Sequence, residues 1–196
     1  MENLPIKTDL SKVPAHITFD QYKELRDKLE KKVYGTTATQ QKHKDRDLLL
    51  LTLLWETGGR ITDICKMTLS MLDFSQKQIN LYTRKRKKTI SITISSDLLF
   101  ELSQFVGKYQ IKLSDPLIGL TRQRAHQIIK QIGNLINIRL HPHMFRHGLA
   151  LYLMGKVPTS VISARLGHCN TAITQSLYQK VTPSIQKEFM KNIELR

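Results

Sequence analysis

Between Pro116 and Lys187 this 196-residue chain has neither aspartate nor glutamate. A metal centre in that half would have to draw its carboxylate from elsewhere, and the histidines there lack the Glu of an HExxH zinc site. Cysteine is as scarce: Cys65 and Cys169 are the only two, and neither sits in a CxxC pair. That excludes a disulfide framework and leaves two reduced thiols as the reading. No apolar run reaches the ~20 residues that a spanning helix needs, so no membrane partner is expected. MENLPIKTDL has no charged region followed by an apolar stretch, so it does not read as a signal peptide. Internal repeats and low-complexity tracts are absent as well.

What the chain has in excess is positive charge. Lys and Arg number 31 against 16 Asp and Glu, a formal net charge of +15, while hydrophobic residues make up 40%. That composition is globular, and the charge favours a polyanionic partner, nucleic acid first. The basic residues are not gathered on one amphipathic helix, which argues against a membrane surface.

Residues 1–15 read as a flexible arm. A helix is expected from Thr18, with Gln21 completing a capping box, and Gly35 ends it. TTATQQKHK reads as a polar loop. Asp45 to Glu56 contains LLLLTLLW, apolar nearly all round, and reads as a central buried helix. After the TGG turn, ITDICKMTL is expected to form a short helix. MLDF, QINLY and TISITIS then alternate in the manner of strands and predict a small antiparallel meander with RKRKK at its second turn. Ser95 or Ser96 should cap a helix to about Tyr109. Thr121 to Ile138 is amphipathic and basic. Pro142 suits the first turn of a helix over 143–154. Shorter helices are expected over 159–166, over 171–180 and after Pro183. The predicted fold class is α+β, mostly helical, with a three-stranded antiparallel sheet.

HPHMFRH places three histidines and an arginine within seven residues. Once Pro142 starts the helix, His143 and Arg146 share a face and His147 lies one turn beyond His143. His143 and His147 could serve as an i, i+4 zinc pair, but a third ligand is lacking, so no metal and no cofactor are expected. His141 and His147 read as local support, capping or packing. Arg60 follows a Gly-Gly turn at the mouth of the buried helix, and Arg suits bidentate phosphate recognition. Asp63, three residues on, could hold its guanidinium. The basic tip (Arg84, Lys85, Arg86, Lys87, Lys88) could reach a DNA groove, and Arg122 and Arg124 are further DNA-contact candidates. Tyr178 lies ten residues after His168, near the His-rich region but off the apolar stripe.

Taken in order, these residues resemble the catalytic domain of the tyrosine recombinase, or phage integrase, family over roughly residues 17–190. ETGGRITDICKMTLSML looks like the family's TGxRxxEhxxL element, TRKRKKTISITIS like its lysine hairpin, HPHMFRHGLALYL like its HxxRH helix, and ARLGHCNTAITQSLY like LGH followed by the nucleophilic tyrosine. Gly59 stands where Leu is common, Asp63 where Glu is usual, and Gly148 where Thr or Ser is common.

The resemblance implies a DNA strand-transferase that needs neither metal nor ATP. Tyr178 would attack a phosphodiester to give a 3′-phosphotyrosine and a free 5′-hydroxyl. Arg60 and Arg146 would stabilise charge on the phosphorus oxygens. Lys85, the choice among Lys85, Lys87 and Lys88, would protonate the leaving oxygen, His143 would move the tyrosine proton, and His168 would hydrogen-bond the phosphate. The partners implied are double-stranded DNA and further copies of the chain in a dimeric or tetrameric synapse. The C-terminal stripe Ile185, Phe189 and Ile193 either folds back on its own domain, as amphipathic helices commonly do, or, as the resemblance suggests, docks on a neighbouring copy. The domain expected is 16–196, with the family's usual N-terminal core-binding domain absent, acting on DNA in the cytoplasm of a prokaryotic or virus-infected cell. Competing readings are a type IB topoisomerase, a non-catalytic DNA-binding protein, and a helical scaffold for RNA or acidic proteins.

Overall fold

The computed structural model describes residues 14–83 and 88–167, with the side chains of Thr83 and Lys88 excepted. Helix α1 (Phe19–Lys31) starts at Thr18, whose side chain accepts from the Gln21 backbone while the Gln21 side chain accepts from the Thr18 backbone. Helix α2 (Ala38–Thr57) begins seven residues earlier than the sequence suggested. TTATQQKHK was expected to be a loop. Instead Thr37 and Gln40 form a second capping box, and the polar residues that follow are the solvated first turns of a helix whose second half is buried.

That second half organises the molecule. Leu50, Leu51, Leu53 and Leu54 are wholly buried, and α1 and two later helices, α4 (Ser96–Tyr109) and α6 (Pro142–Leu153), pack around α2. Each fully buried leucine contributes roughly 1.5–3 kcal/mol. Helix α3 (Ile61–Cys65) is shorter than expected, because Lys66 caps it and a 3-10 turn (Leu69–Met71) follows. Strands β1 (Leu72–Asp73), β2 (Gln78–Thr83) and β3 (Lys88–Thr93) pair antiparallel in the order β1-β2-β3, with Ile79 opposite Ile92 and Leu81 opposite Ile90. Ile79, Leu81 and Ile92 face the core, while Ser91 donates to Asn80 on the outer face.

Ser95 caps α4 (Ser96–Tyr109). Thr121 caps α5 (Arg122–Gly133), which stops short of Ile138: a 3-10 turn (Asn134–Ile136) follows, and Asn137 adopts φ +57°. Pro142 opens α6 (Pro142–Leu153) at its first turn, and α7 spans Thr159–Leu166. His141 occupies the N-cap of α6, and its side chain makes no cap hydrogen bond, which removes capping from the two roles, capping or packing, that the sequence offered for it.

Ile17, placed next to the arm by the sequence, is wholly buried, and its backbone N–H donates to the Met144 carbonyl of α6. Gly148 makes room for this segment: a Cβ there would lie 2.1 Å from the Ile17 carbonyl oxygen. Cys65 is a buried free thiol. Residues 1–13, the tip residues Arg84 to Lys87, and everything from His168 onward lie outside the described residues, and with them Lys85, His168, Cys169, Tyr178 and the two expected C-terminal helices.

Candidate active site

The turn after α2 is built to bring backbone and guanidinium together. Thr57 Oγ1 donates to the Leu53 carbonyl and accepts from the Gly59 N–H at 3.0 Å. Gly58 takes φ +59°, and a Cβ there would meet Leu166 and Leu149 side chains at 2.5 and 2.9 Å. Only glycine meets both demands. The Gly58 carbonyl accepts from Arg146 Nη1 at 2.8 Å, and the Leu166 carbonyl at the end of α7 accepts from Arg146 Nη2. Arg146 therefore locks the Gly-Gly turn, α6 and α7 together while 7% exposed. Among the described residues two of its five N–H groups donate, both to backbone carbonyls.

Arg60 is the N-cap residue of α3, and its side chain is 39% exposed. It lines the same narrow cleft as Arg146, Asp63, Gly59 and Leu166, walled on the sheet side by Leu81, Ile90 and Ile92. Asp63 is only loosely paired with Arg60, at 4.0 Å, and its charge also acts on Arg146. Burial holds the Asp63 carboxyl above its ordinary value, opposed by Arg60, Arg146 and Lys66. Burial and the charge of Arg60 pull the Arg146 guanidinium down to about 10, so it remains a cation at neutral pH.

His143 is exposed beside this pair. Partial desolvation and then the charge of Arg146 hold its imidazole below the ordinary 6.5, with His141, Arg60 and His126 adding to the effect. It is neutral at pH 7 and can accept a proton. His147 is half-buried, its ring 6.4 Å from that of His143, and is lowered by burial first and by His143 second. Arg122 and Arg124 are exposed on the first turn of α5, and Arg124 donates to Gln127. Among the described residues no three His, Cys, Asp or Glu side chains gather in a way that could hold a metal ion. Nor is any described helix long and apolar enough to cross a membrane.

Two participants were not singled out from sequence. His126 on α5 is held below its ordinary value by burial first, then by the charges of Arg122 and His141. Arg165 lines the cleft and spends its guanidinium on backbone carbonyls of α2 and β3. An Arg in the last turn of a helix followed by Gly was a usable signal, since such residues bind C-terminal carbonyls; here they are another helix's.

The sequence model of the phage integrase family matches residues 16–184, and the chain belongs to that family. Among curated relatives it is 27% identical over 161 residues to the tyrosine recombinase XerA of Pyrococcus horikoshii, covering 76% of this chain and 55% of the relative. It is 28% identical over 167 residues to the tyrosine recombinase XerS of Streptococcus thermophilus, covering 78% of this chain and 46% of the relative. The chain thus spans about half the length of the curated relatives it matches. Its fold is that of a solved XerA recombinase, at TM-score 0.75 and 20% identity, covering 98% of this chain and 68% of that one. It also matches XerH recombinase bound to its difH substrate, at TM-score 0.70 and 18% identity, covering 90% of this chain and 53% of that one.

Proposed function

We propose that the chain carries the catalytic domain of a site-specific DNA recombinase, over residues 16–196, preceded by an arm over 1–15. The observation that supports this most is the shared cleft of Arg60 and Arg146, two guanidiniums distant in sequence, with one loosely held carboxylate between them. Two cations in one cleft suit a phosphodiester that gains charge at its transition state. In the reaction proposed, the Tyr178 oxygen attacks phosphorus and loses its proton to the neutral His143 imidazole. The bond from phosphorus to the 5′-oxygen breaks, and Lys85 gives that oxygen its proton. The 3′-phosphotyrosine keeps the energy of the phosphodiester, so the reverse attack by a 5′-hydroxyl reseals the strand without ATP. His168 donates to the phosphate, and no metal enters.

Double-stranded DNA is the proposed partner, gripped by the tip residues Arg84, Arg86, Lys87 and Lys88 and by Arg122 and Arg124. Further copies of the chain assemble on that DNA as a dimer or tetramer, with the Ile185, Phe189 and Ile193 stripe as the contact between them. The proposed setting is the cytoplasm of a prokaryotic or virus-infected cell. A nicked suicide DNA carrying the cognate site tests the reading: a covalent protein–DNA adduct is expected, formed equally well in EDTA. Relaxation of supercoiled plasmid by a monomer, with no exchange between paired sites, would point to a topoisomerase instead.

A further inference from the structure

We infer that Arg165 is a positioning residue, whose guanidinium fixes the end of α7 against α2 and the sheet and so sets where the chain enters the segment of His168 and Tyr178. The inference rests on the recombinase reading. Helix α7 has eight residues, too few to be stable alone. Its apolar anchor is a small cluster with α6: Leu149, Ala150, Met154, Ile162 and Leu166. Apolar contact has no direction, so it holds the helix without fixing its rotation or slide.

The Arg165 guanidinium supplies that direction. Nη2 and Nε both donate to the Glu56 carbonyl, at 2.6 and 3.2 Å, and Nη1 donates to the Thr93 carbonyl at 2.9 Å. Glu56 lies in the last turn of α2, where carbonyls have no helical partner, and Thr93 ends β3. The Glu56 carboxylate in turn accepts from the Ser95 backbone N–H and hydroxyl, just past β3. One residue of α2 thus ties the exit of β3 to α7.

Two neighbouring contacts reinforce the joint. The next carbonyl, that of Leu166, is held by Arg146. Gly167 then turns with φ +61° so close over the sheet that a Cβ would lie 2.5 Å from Ile90 Cδ1. Of the three segments meeting at Arg165, α2 leads on to Arg60, α7 leads on to His168, and β3 is the strand that starts at the lysine hairpin and ends at Thr93. A planar fork is needed to span two carbonyls from fixed positions, and a lysine ammonium lacks that shape. With three of its N–H groups on backbone oxygen, Arg165 acts through the segments it joins rather than on phosphate.

The test compares Arg165→Lys and Arg165→Met with the unaltered protein. Circular dichroism and thermal melting report folding, a DNA titration reports affinity, and adduct formation is timed at saturating suicide DNA. Hydrogen exchange over residues 159–166 and 93–95 reads the joint itself. Arg165→Lys keeps the charge, so the expected result is unchanged DNA affinity, faster exchange confined to those residues, and slower cleavage. The slowing should be roughly ten- to a hundredfold, since misplacing a reacting group by about 1 Å costs up to ~10²-fold. Cleavage at the unaltered rate in folded Arg165→Lys overturns the inference. So does a loss confined to DNA affinity, which would make Arg165 a phosphate contact. If the unaltered protein forms no adduct, the recombinase reading fails. Exchange then decides the joint alone, and unchanged exchange in both variants overturns it.

Discussion

Gly148→Ala and Gly107→Ala, each replacing a glycine within a helix, should move stability in opposite directions. Placing alanine in a helix interior gains about 0.5–1 kcal/mol over glycine, because less chain entropy is lost on folding. At Gly107 in α4 an added Cβ meets nothing within 4 Å, so this gain is expected whole. At Gly148 in α6 the Cβ would sit 2.1 Å from the Ile17 carbonyl oxygen and 3.2 Å from its carbon. Backbone must give way, and forced overpacking costs about 1–3 kcal/mol. The hydrogen bond from Ile17 to the Met144 carbonyl is lost with it, about 1 kcal/mol more. After subtracting the helix gain, Gly148→Ala should destabilise by roughly 1.5–3 kcal/mol, a melting-point drop of about 3–12 °C for a domain of this size. Gly107→Ala should raise the melting point by about 1–4 °C. Ile17→Ala should not rescue Gly148→Ala, because the clash is with a carbonyl oxygen rather than the side chain. Calorimetry of the two single variants and the double decides it. A Gly148→Ala protein at least as stable as Gly107→Ala would refute the packing of residues 16–18 on α6.

Three further outcomes follow from the site. Arg60→Ala and Arg146→Ala should each slow cleavage by at least ~10²-fold, as losing one charge-stabilising donor does elsewhere. Only Arg146→Ala should also lower the melting point, because it strips donors from the Gly58 and Leu166 carbonyls while Arg60 is half-exposed; equal melting for both would contradict that division. His126, His143 and His147 all lie below their ordinary 6.5 in the folded protein, so the unfolded chain binds protons more readily. Stability should therefore fall as pH drops below about 6.5, and His143→Gln with His147→Gln should shrink the fall. Asp63 titrates in the opposite sense from a lower ordinary value of 3.8. A melting point that rises between about pH 7 and pH 5 would contradict the assignment. DNA affinity should fall steeply with added salt, because phosphate contacts release counterions, and binding that barely responds to salt would count against the basic interface.

Much of the fold could be read from local chemistry. Thr18 with Gln21, the Ser95–Ser96 pair, Thr121 and Pro142 each announced a helix start, and the alternation of QINLY and TISITIS announced the pairing of β2 with β3. The start of α2 was misread although the Thr37–Gln40 capping box carries the same signature as Thr18–Gln21, because its first turns are polar on every side. Composition suggested a loop where capping chemistry decided for helix. The docking of Ile17 on Gly148 was hidden for a different reason: it is a contact between backbone and an absent side chain, far apart in the chain. The convergence of Arg60 with Arg146 was legible only through the order of motifs, since neither residue alone rises above a surface or packed arginine. The carbonyl partners of Arg146 and Arg165 leave no trace in sequence, because backbone oxygen is present at every position. The Asp63 contact was anticipated as a clamp on Arg60, yet the carboxylate stands looser and acts on Arg146 as well.

The most direct test of the central claim is to find which residue becomes joined to DNA. The unaltered protein is trapped on a nicked suicide substrate, digested, and the nucleotide-bearing peptide sequenced by mass spectrometry. The expected result is a 3′-phosphate ester on Tyr178, with no adduct from Tyr178→Phe although that variant still binds DNA. A phosphoester on any other residue, or an adduct that persists in Tyr178→Phe, would contradict the account.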